Sequence, residues 1–550
     1  MLKLYALRCY RAVAVILGQR ISVVILWRST VAMIWRGSII GRVLYVGCGR
    51  EKEMKQQTGW PRWAVYVLSI VIVVAALGGL ALQTTWGQVL AAKAGKYTRV
   101  LAAYVPIGDG EIRFTRQLIT ADSSTSRTIM WESVKPEASP VVEYRLKDGA
   151  VTKQTAAKQT VTAAKSQDSN SEVKRVTATE SVLTDDEVTR YLYTATLTGL
   201  MPRTTYEYRV GYENKRGDWH PLTTAGSGAN KAATAGDAAN KSVTIDDAAN
   251  EAVTIGDAEA AKSEDFTALI FPDSQSADYR GWDVLAKEAY KRNPTAAFFI
   301  NMGDLVDNGE DASQWDAWFA AVEPMIENIP FVGVMGNHET YNLQWQVREP
   351  KAYLGLFDFP AVPQREDNNR YYSFDYNDVH FVVLDTQLAE RPEAEREQAL
   401  AREEAWLRHD LLATKARWKV VLMHKDTLRY PNTKRPDTVP GITDMGYAFM
   451  PIFDAYHVDA VVSAHYHMYR RRGHIKDFRR DESGPLYIIS GVAGDVRYAT
   501  LWKSHPLDTF VSPYPAEANY IVLTKTDDRL TFEAYLANGT KFDEVQVNKQ

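Results

Sequence analysis

The sequence predicts an α/β domain carried behind an all-β sandwich and a membrane-spanning N-terminal helix, and three observations predict it. From Asp265 onward, apolar strand-like runs alternate with helical stretches, the order of an α/β domain whose sheet is covered by helices on both sides. Between about residues 97 and 225 the apolar runs are short and separated by polar turns, the pattern of strands alone. From Trp63 to Ala92 no charged residue occurs, and Ala64–Leu82 is almost wholly apolar. At about 1.5 Å rise per residue such a run comes close to crossing a ~30 Å hydrocarbon core.

The N-terminal element takes its orientation from charge. The 550 residues carry 64 Lys+Arg and 68 Asp+Glu, a net −4, but residues 1–62 hold eleven basic and two acidic side chains, leaving −13 for the rest. So acidic a remainder has no surplus to neutralise phosphates, which excludes non-specific nucleic-acid binding. Arg50, Lys52, Lys55 and Arg62 precede the apolar run, and Trp60, Trp63 and Trp86 flank it. Basic residues on the near side and interfacial tryptophans predict an uncleaved single-pass signal anchor over 63–83, with 1–62 cytoplasmic and the remainder outside. Residues 1–53 mix short apolar runs with Arg11, Arg20, Arg28, Arg36 and Arg42. They read either as a basic amphipathic helix on an anionic membrane surface or as a stretch upstream of a true start at Met54. Cys9 and Cys48 are the only cysteines, so a disulfide framework or thiolate cluster in the body of the chain is excluded. With 45 % hydrophobic residues, the chain has ample core and is not disordered.

In the all-β part, 97–225, strand-like runs fall at Arg127–Trp131, Val141–Leu146, Tyr191–Leu197 and Thr205–Tyr212. The stretch LTGLMPRTTYEYRV resembles the strand–turn–strand edge of a fibronectin type III sandwich. That likeness makes Tyr206 the corner tyrosine and Trp131 the core tryptophan. Residues 150–177, rich in Lys, Thr, Ala, Gln and Ser, read as an exposed insertion. ANKAATAGDA, ANKSVTIDDA and ANEAVTIGDA follow one another at 229–258. Side chains that small bury no core, so 226–262 reads as a flexible tether.

The α/β domain, 263–545, has strand-like runs at Phe266–Phe271, Ala296–Ile300, Phe331–Val334, Phe381–Leu384, Lys419–Met423, Val458–Ser463 and Leu486–Ile489. Gly281–Lys291 and Gln398–Ala413 read as helices, and Tyr520–Leu523 with Leu530–Tyr535 as a closing hairpin. Functional groups of α/β sheets gather beyond the carboxyl ends of strands, and five runs end in metal-capable residues. These are Asp273 and Gln275; Asp304 and Asp307 after Gly303; Asn337, His338 and Glu339 after Gly336; His424; and His465 with His467. In an extended segment residues two apart point the same way, which predicts that His465 and His467 face one site, as do Asp273 and Gln275. Asp304 has two oxygens with which to bridge two cations. Oxygen and imidazole donors without sulfur suit Mn, Fe or Zn and do not choose among them.

Taken in order, Asp-x-Gln, Gly-Asp-x-x-Asp, Gly-Asn-His-Glu, a later His and His-x-His resemble the calcineurin-like metallophosphoesterases. The likeness is to the purple-acid-phosphatase-like branch, which sets a fibronectin-like domain before a two-sheet α/β sandwich. It extends to HFVVLDTQ (380–387) and YIISGVAG (487–494). The resemblance implies two divalent or mixed-valence metal ions of Mn, Fe or Zn type. Asp273, Gln275, Asp304 and His467 would hold one, and Asp304, Asn337, His424 and His465 the other. It further implies in-line attack of hydroxide on a phosphate ester, with His338 protonating the leaving oxygen and Asp307 tuning His338 through a carboxylate–imidazole pair.

This sequence departs from the branch at three positions. Asp307 stands where purple enzymes have the tyrosine whose phenolate colours the iron, which predicts a colourless protein. Gln275 replaces the commoner His with a weaker neutral donor, and Ala464 replaces the Gly before His-x-His. The other histidines match no ligand position; His457 is the one kept as lining the site. Arg470, Arg471 and Arg472 read as solvated, with a phosphate contact as the alternative, while Tyr341 and Tyr430 read as pocket residues. The function expected is hydrolysis of phosphomonoesters by a membrane-tethered, outward-facing enzyme. A phosphodiesterase of nucleotides or lipid headgroups is the alternative among enzymes, and a surface binding module with an inactive fold the alternative outside them.

Overall fold

The computed structural model describes residues 111–147, 172–226, 265–435, 437–498, 501–513 and 517–549, together with the backbone of five strands between Tyr5 and Gly47. The chain divides into units at 1–87 and 88–550. In the first, the five strands pair in order as an antiparallel meander, at positions where the sequence offered a surface helix. The anchor at 63–83, most of the insertion at 150–177 and the decamer tether lie outside the described residues. Among the described residues no helix is long and apolar enough to cross a membrane.

The second unit begins with the β-sandwich. Strands β1 (Arg113–Leu118), β2 (Arg127–Ser133), β3 (Val141–Leu146), β4 (Lys174–Thr177), β5 (Thr179–Asp185), β6 (Val188–Leu197), β7 (Thr205–Tyr212) and β8 (His220–Thr223) form two sheets, with β5-β6-β2-β1 facing β8, β7, β3 and β4. Apolar positions from both sheets, Trp131, Val142, Tyr193, Tyr206 and Tyr208 among them, meet in one core, as expected of sandwich strands that bury one face each. The Tyr206 hydroxyl accepts a hydrogen bond from the Met201 amide at 2.9 Å, so the corner tyrosine is realised. The insertion is shorter at its C-terminal side than the sequence predicts, because Lys174–Thr177 is strand β4 paired with β3. Its alternation of Lys, Arg and Thr gave no apolar strand signal.

The α/β domain supplies β9 (Phe266–Phe271), α1 (Arg280–Arg292), β10 (Phe298–Asn301), α2 (Ala312–Ile326), β11 (Phe331–Gly333), β12 (Tyr372–Tyr376), β13 (Val379–Leu384), α3 (Glu393–Ala413) and β14 (Trp418–Met423). It continues with α4 (Asp444–Ala455), β15 (Ala460–Ser463), β16 (Met468–Lys476), β17 (Leu486–Gly491), β18 (Asn519–Thr526), β19 (Arg529–Leu536) and β20 (Lys541–Asn548). One sheet runs β11-β10-β9-β18-β19-β20 and the other β12-β13-β14-β15-β17-β16. Aromatic side chains of both, such as Phe266, Phe298, Phe374 and Phe381, pack into a shared core. Several strands, β10 and β13 among them, are buried on both faces, as runs such as FFIN and VHFVVL require.

Helices α2 and α4 carry no sequence expectation. Both are apolar on most of their circumference and interrupted by Pro324 or Pro451, so neither has the one-sided period that marks a surface helix. The two domains are also less separate than a tether suggests. β1 pairs in parallel with β11, making the sandwich sheet and the first α/β sheet one ten-stranded sheet. Buried Arg190 on β6 clamps the joint, reaching Glu132 at 2.8 Å and Asp316 of α2 at 2.5 Å.

His380 on β13 illustrates charge used for stability. It is buried between Asp375 (2.7 Å) and Asp410 of α3 (2.8 Å). Burial alone would lower its pKa, but the two carboxylates push it up to about 9. A histidine raised on folding stabilises fully below its ordinary pKa near 6.5, and that stability is lost as pH rises through about 9. His380→Gln is therefore expected to cost about 2 kcal/mol at pH 6, discounted for the exposed edges of both carboxylates. The gap to wild type in thermal denaturation should close above pH 9; an equal gap at both pH values would contradict the charged pair.

Candidate metal centre

Strands β9, β10 and β11 run parallel to one another, as do β14 and β15, so the carboxyl ends of each set open on one side. Asp273 and Gln275 follow β9, Asp304 follows β10, Asn337 and His338 follow β11, His424 ends β14, and His465 and His467 follow β15. The loops are tight enough to need glycine. Gly303 has φ +95°, and a Cβ there would lie 2.4 Å from His424 Nδ1; at Gly336 it would lie 2.2 Å from the Asp304 amide nitrogen. The space these glycines leave is filled by His424 and Asp304, which is how both side chains reach the centre.

The expectation that His465 and His467 point together because the segment is extended is corrected. Both sit in left-handed backbone, φ 71° and 53°, in the turn between β15 and β16. They converge because two such residues bend the chain over the site, and the His465 amide is pinned from across the fold. The His465 N–H donates to both Asp273 oxygens at 3.2 and 3.1 Å. Ala464 is not among the left-handed residues, so the missing glycine costs nothing there.

The donors form two groups that share one carboxylate. Asp304, His424 and His465 make one, and Asp273, Asp304 and His467 the other, with ligand atoms in each group within 4.8 Å of one another. Asp304 Oδ2 lies 3.2 Å from His424 Nε2, which lies 3.2 Å from Asn337 Oδ1 and 3.3 Å from His465 Nδ1. His467 Nε2 lies 3.4 Å from Asp273 Oδ1. Carbonyls fix the rings from behind: Met302 O holds His424 Nδ1 at 2.9 Å, and Val496 O holds His467 Nδ1 at 2.8 Å. Nε2 of each is thereby left facing inward, the arrangement that metal-ligating histidines need.

Among the donors of this site, the buried atoms His467 Nε2 and Gln275 Oε1 have no hydrogen-bond partner. A buried polar atom left unpaired costs free energy, and a bound cation would satisfy such a donor. The residues fit a pair of N- and O-ligated ions.

The electrostatics are those of a site awaiting positive charge. Burial would raise the Asp304 carboxyl, but His424, His338 and His465 outweigh it and hold it well below the carboxylate range. Burial would lower His424, yet Asp304 and Asp273 push it up to about 9. Burial and the neighbouring His424 hold His465 well below its ordinary value. Cations compete with these protons, since imidazole ligates only when neutral.

Around the donors, His338 is oriented differently from expectation. Its Nδ1 meets the Asp307 backbone carbonyl at 2.7 Å, whereas the Asp307 carboxylate stands off at 3.7 Å. The carbonyl therefore aims Nε2 at the site, and the carboxylate acts through charge. Burial opposes the charged imidazole, but Asp304 and the two Asp307 groups keep its pKa raised. Gln275 Nε2 donates toward Asp307 Oδ1 at 3.4 Å and lies 3.2 Å from His338 Nε2.

Glu339 is the residue whose role the sequence did not reveal. Fully buried, it accepts from the amides of Asp304 (3.0 Å), Leu305 (2.8 Å), Val306 (3.3 Å) and Gly336 (2.7 Å). It ties two ligand loops together. The only signal was the carboxylate itself, two residues beyond Asn337 in Gly-Asn-His-Glu.

Other expectations divide. Tyr341 lines the site, receiving the Asn337 Nδ2 at 3.4 Å. Tyr430 does not, being buried against Tyr466, Arg470 and Asp508. His457 is exposed at the turn after α4. Arg470 and Arg472 are buried, not solvated, and pair with Asp508 and Asp426; Arg471 pairs with Asp543. Their strand β16 lies under a covering segment that no local pattern announced. Asp385 binds the Gln387 amide and Arg391, outside the ligand set as expected.

A two-sheet α/β sandwich with Asp, Asn and His donors converging on one shared carboxylate defines the class of candidate dinuclear metallophosphoesterases. Two family models match consecutive parts of the chain. Residues 217–469 match the calcineurin-like phosphoesterase family, and residues 115–224 match the purple acid phosphatase N-terminal domain, which is the β-sandwich. It is 29 % identical to purple acid phosphatase 23 of Arabidopsis thaliana over 186 residues, 33 % of this chain and 38 % of that protein. To purple acid phosphatase 15 of the same plant it is 27 % identical over 190 residues, 33 % of this chain and 32 % of the other. These matches span well under half the length of those relatives. The fold resembles purple acid phosphatase PPD1 from yellow lupin seeds, with TM-score 0.58 and 17 % identity over 80 % of this chain and 74 % of that one.

Proposed function

We propose that this chain hydrolyses phosphomonoesters at a dinuclear metal centre held by Asp273, Gln275, Asp304, Asn337, His424, His465 and His467. The observation that carries the reading is the single buried carboxylate of Asp304 common to both donor groups. When bound, two cations supply a clamp for the phosphoryl oxygens and an activated water. The protein's own residues do the rest. Asp304 sets the spacing of the centre and Asn337 adds a neutral donor that leaves net positive charge for the phosphate. His338, its Nδ1 engaged by a carbonyl, presents Nε2 to the leaving oxygen and transfers a proton as the P–O bond breaks. The Asp307 carboxylate nearby favours the protonated imidazole that this task needs.

We further infer that 63–83 crosses a bilayer and that the catalytic domain faces outward, on the apolar run and its basic flank. Protease added to intact cells should digest the domain, and protection would overturn this orientation. The activity is tested with p-nitrophenyl phosphate and bis-p-nitrophenyl phosphate on Mn²⁺-loaded protein. Faster turnover of the monoester is expected, and preference for the diester would replace the reading.

Colour provides a further check. Asp307 offers no phenolate, so iron-loaded protein is expected to lack the strong visible charge-transfer band of purple enzymes. A visible spectrum recorded after Fe(III) loading decides it.

A further inference from the structure

One feature of the site mouth is unused by this reaction. The segment after Gly336-Asn-His-Glu forms a small hairpin whose tip projects apolar side chains into solvent: Leu343 is 40 %, Trp345 55 % and Val347 49 % exposed. Three neighbouring apolar side chains exposed together are the informative kind of exposure, because such patches mark places where a protein meets a ligand or partner. The hairpin is built to hold them there. Asn342 Oδ1 accepts from the amides of Gln344 (3.0 Å) and Gln346 (2.8 Å), the Asn342 amide donates to Gln346 O at 2.8 Å, and Tyr341 bridges Val347. From outside, Glu310 accepts from the Leu343 amide at 2.7 Å, and Asn308 donates to Asn342 O at 2.5 Å.

The ring this hairpin presents stands next to the proton donor. The Trp345 ring centre is 5.9 Å from that of His338 and nearly perpendicular to it, at 84°. Tyr341 completes a corner, 5.4 Å from His338 and 6.0 Å from Trp345. A leaving oxygen within hydrogen-bond reach of His338, about 2.8 Å, carries its substituent out along this wall. A flat ring bonded to that oxygen comes within stacking distance of Trp345, whereas a small aliphatic alcohol does not fill the corner.

We propose that Trp345 determines specificity by stacking on the leaving group, so that the site favours phosphomonoesters whose ester oxygen is bonded directly to an aromatic ring. This rests on the phosphomonoesterase reading and adds the class of substrate. Trp345 is a positioning residue that takes no part in proton or phosphoryl transfer. The shared chemistry of phenyl phosphate and phosphotyrosine is what the corner recognises, and a ring set a sugar's width away, as in adenosine 5′-monophosphate, lies beyond it.

The test uses the Mn²⁺-loaded full chain and two non-hydrolysable probes, phenylphosphonate and methylphosphonate, titrated by calorimetry. Aromatic stacking of this kind makes a difference of roughly tenfold or more in affinity. Wild type is expected to prefer phenylphosphonate by that factor, Trp345→Ala to lose the preference while binding methylphosphonate unchanged, and Trp345→Phe to restore most of it. In kinetics, Trp345→Ala should raise KM for phenyl phosphate and phosphotyrosine about tenfold with kcat little changed, and leave glycerol 2-phosphate unaffected. Equal binding of the two phosphonates by wild type, or a preference surviving in Trp345→Ala, overturns the proposal while turnover of p-nitrophenyl phosphate leaves the activity standing. An equal loss on adenosine 5′-monophosphate overturns the restriction to directly bonded rings. Failure of wild type to bind either phosphonate overturns the underlying activity as well.

Discussion

Asp304→Ala is expected to reduce turnover of p-nitrophenyl phosphate by roughly a thousandfold or more, the scale seen when a preorganised electrostatic element of an active site is removed. The same variant should retain at most one metal ion per chain, measured by elemental analysis after exhaustive dialysis. Both effects have one cause. Asp304 is the only carboxylate common to the two donor groups, so its loss removes a ligand from each and the charge that holds the ions close. The remaining donors include His424 and His465, whose nitrogens lie 3.3 Å apart and crowd each other once the Asp304 charge beside His424 is gone. Two ions bound with near-normal turnover would end the assignment of Asp304 as the shared ligand. An Asp304→Asn variant separates the contributions, since it keeps an oxygen donor and removes the charge. Circular dichroism on both variants keeps loss of fold distinct from loss of function.

Glu339→Ala is expected to destabilise the second unit by on the order of 3 kcal/mol, because four buried amides lose their acceptor at once. The amides belong to Asp304, Leu305, Val306 and Gly336, so the ligand loops should also loosen, and turnover at a temperature where the variant is still folded should fall. Thermal denaturation and metal affinity measured together check both. A variant that melted like wild type and bound metal as tightly would show that the four hydrogen bonds are dispensable. The pH dependence has a definite sign. Burial and the adjacent Asp304 charge push Glu339 up to about 7 in the metal-free protein. A carboxyl raised on folding contributes stability that is complete below its ordinary value near 4.5 and is lost as pH rises through about 7. Cations over Asp304 relieve the repulsion, so metal loading should flatten this slope between pH 5 and pH 8.

Much of the candidate site's layout was legible because it is written in residue type at strand ends. Asp273, Asp304, Asn337, His424, His465 and His467 each follow a run of apolar residues long enough to be a buried strand, and parallel strands bring such ends to one side. Tyr206 and Trp131 were legible for a similar reason, being large aromatics at fixed places in a strand pattern. Legibility failed where identity is read from surroundings. Arg470 and Arg472 look like a solvated run in sequence, yet Asp508 and Asp426 arrive from distant segments to pair with them in the interior. Helices α2 and α4 are apolar in residue type on most of their circumference and therefore lack the polar face by which a helix is recognised.

What the sequence determined by itself is the inventory and its order: which segments are apolar enough to be strands, which glycines allow a close turn, and which oxygen and nitrogen donors follow them. Only the tertiary structure decided how those pieces act. It fused the sandwich to the α/β domain through β1 and β11, turned His465 and His467 inward by left-handed backbone, aimed His338 with a carbonyl in place of a carboxylate, and stood Trp345 beside it in solvent. The physical reason is that residue type and local period are set along the chain. Hydrogen-bond partners, desolvation and charge are set by atoms that are distant in sequence and adjacent in space.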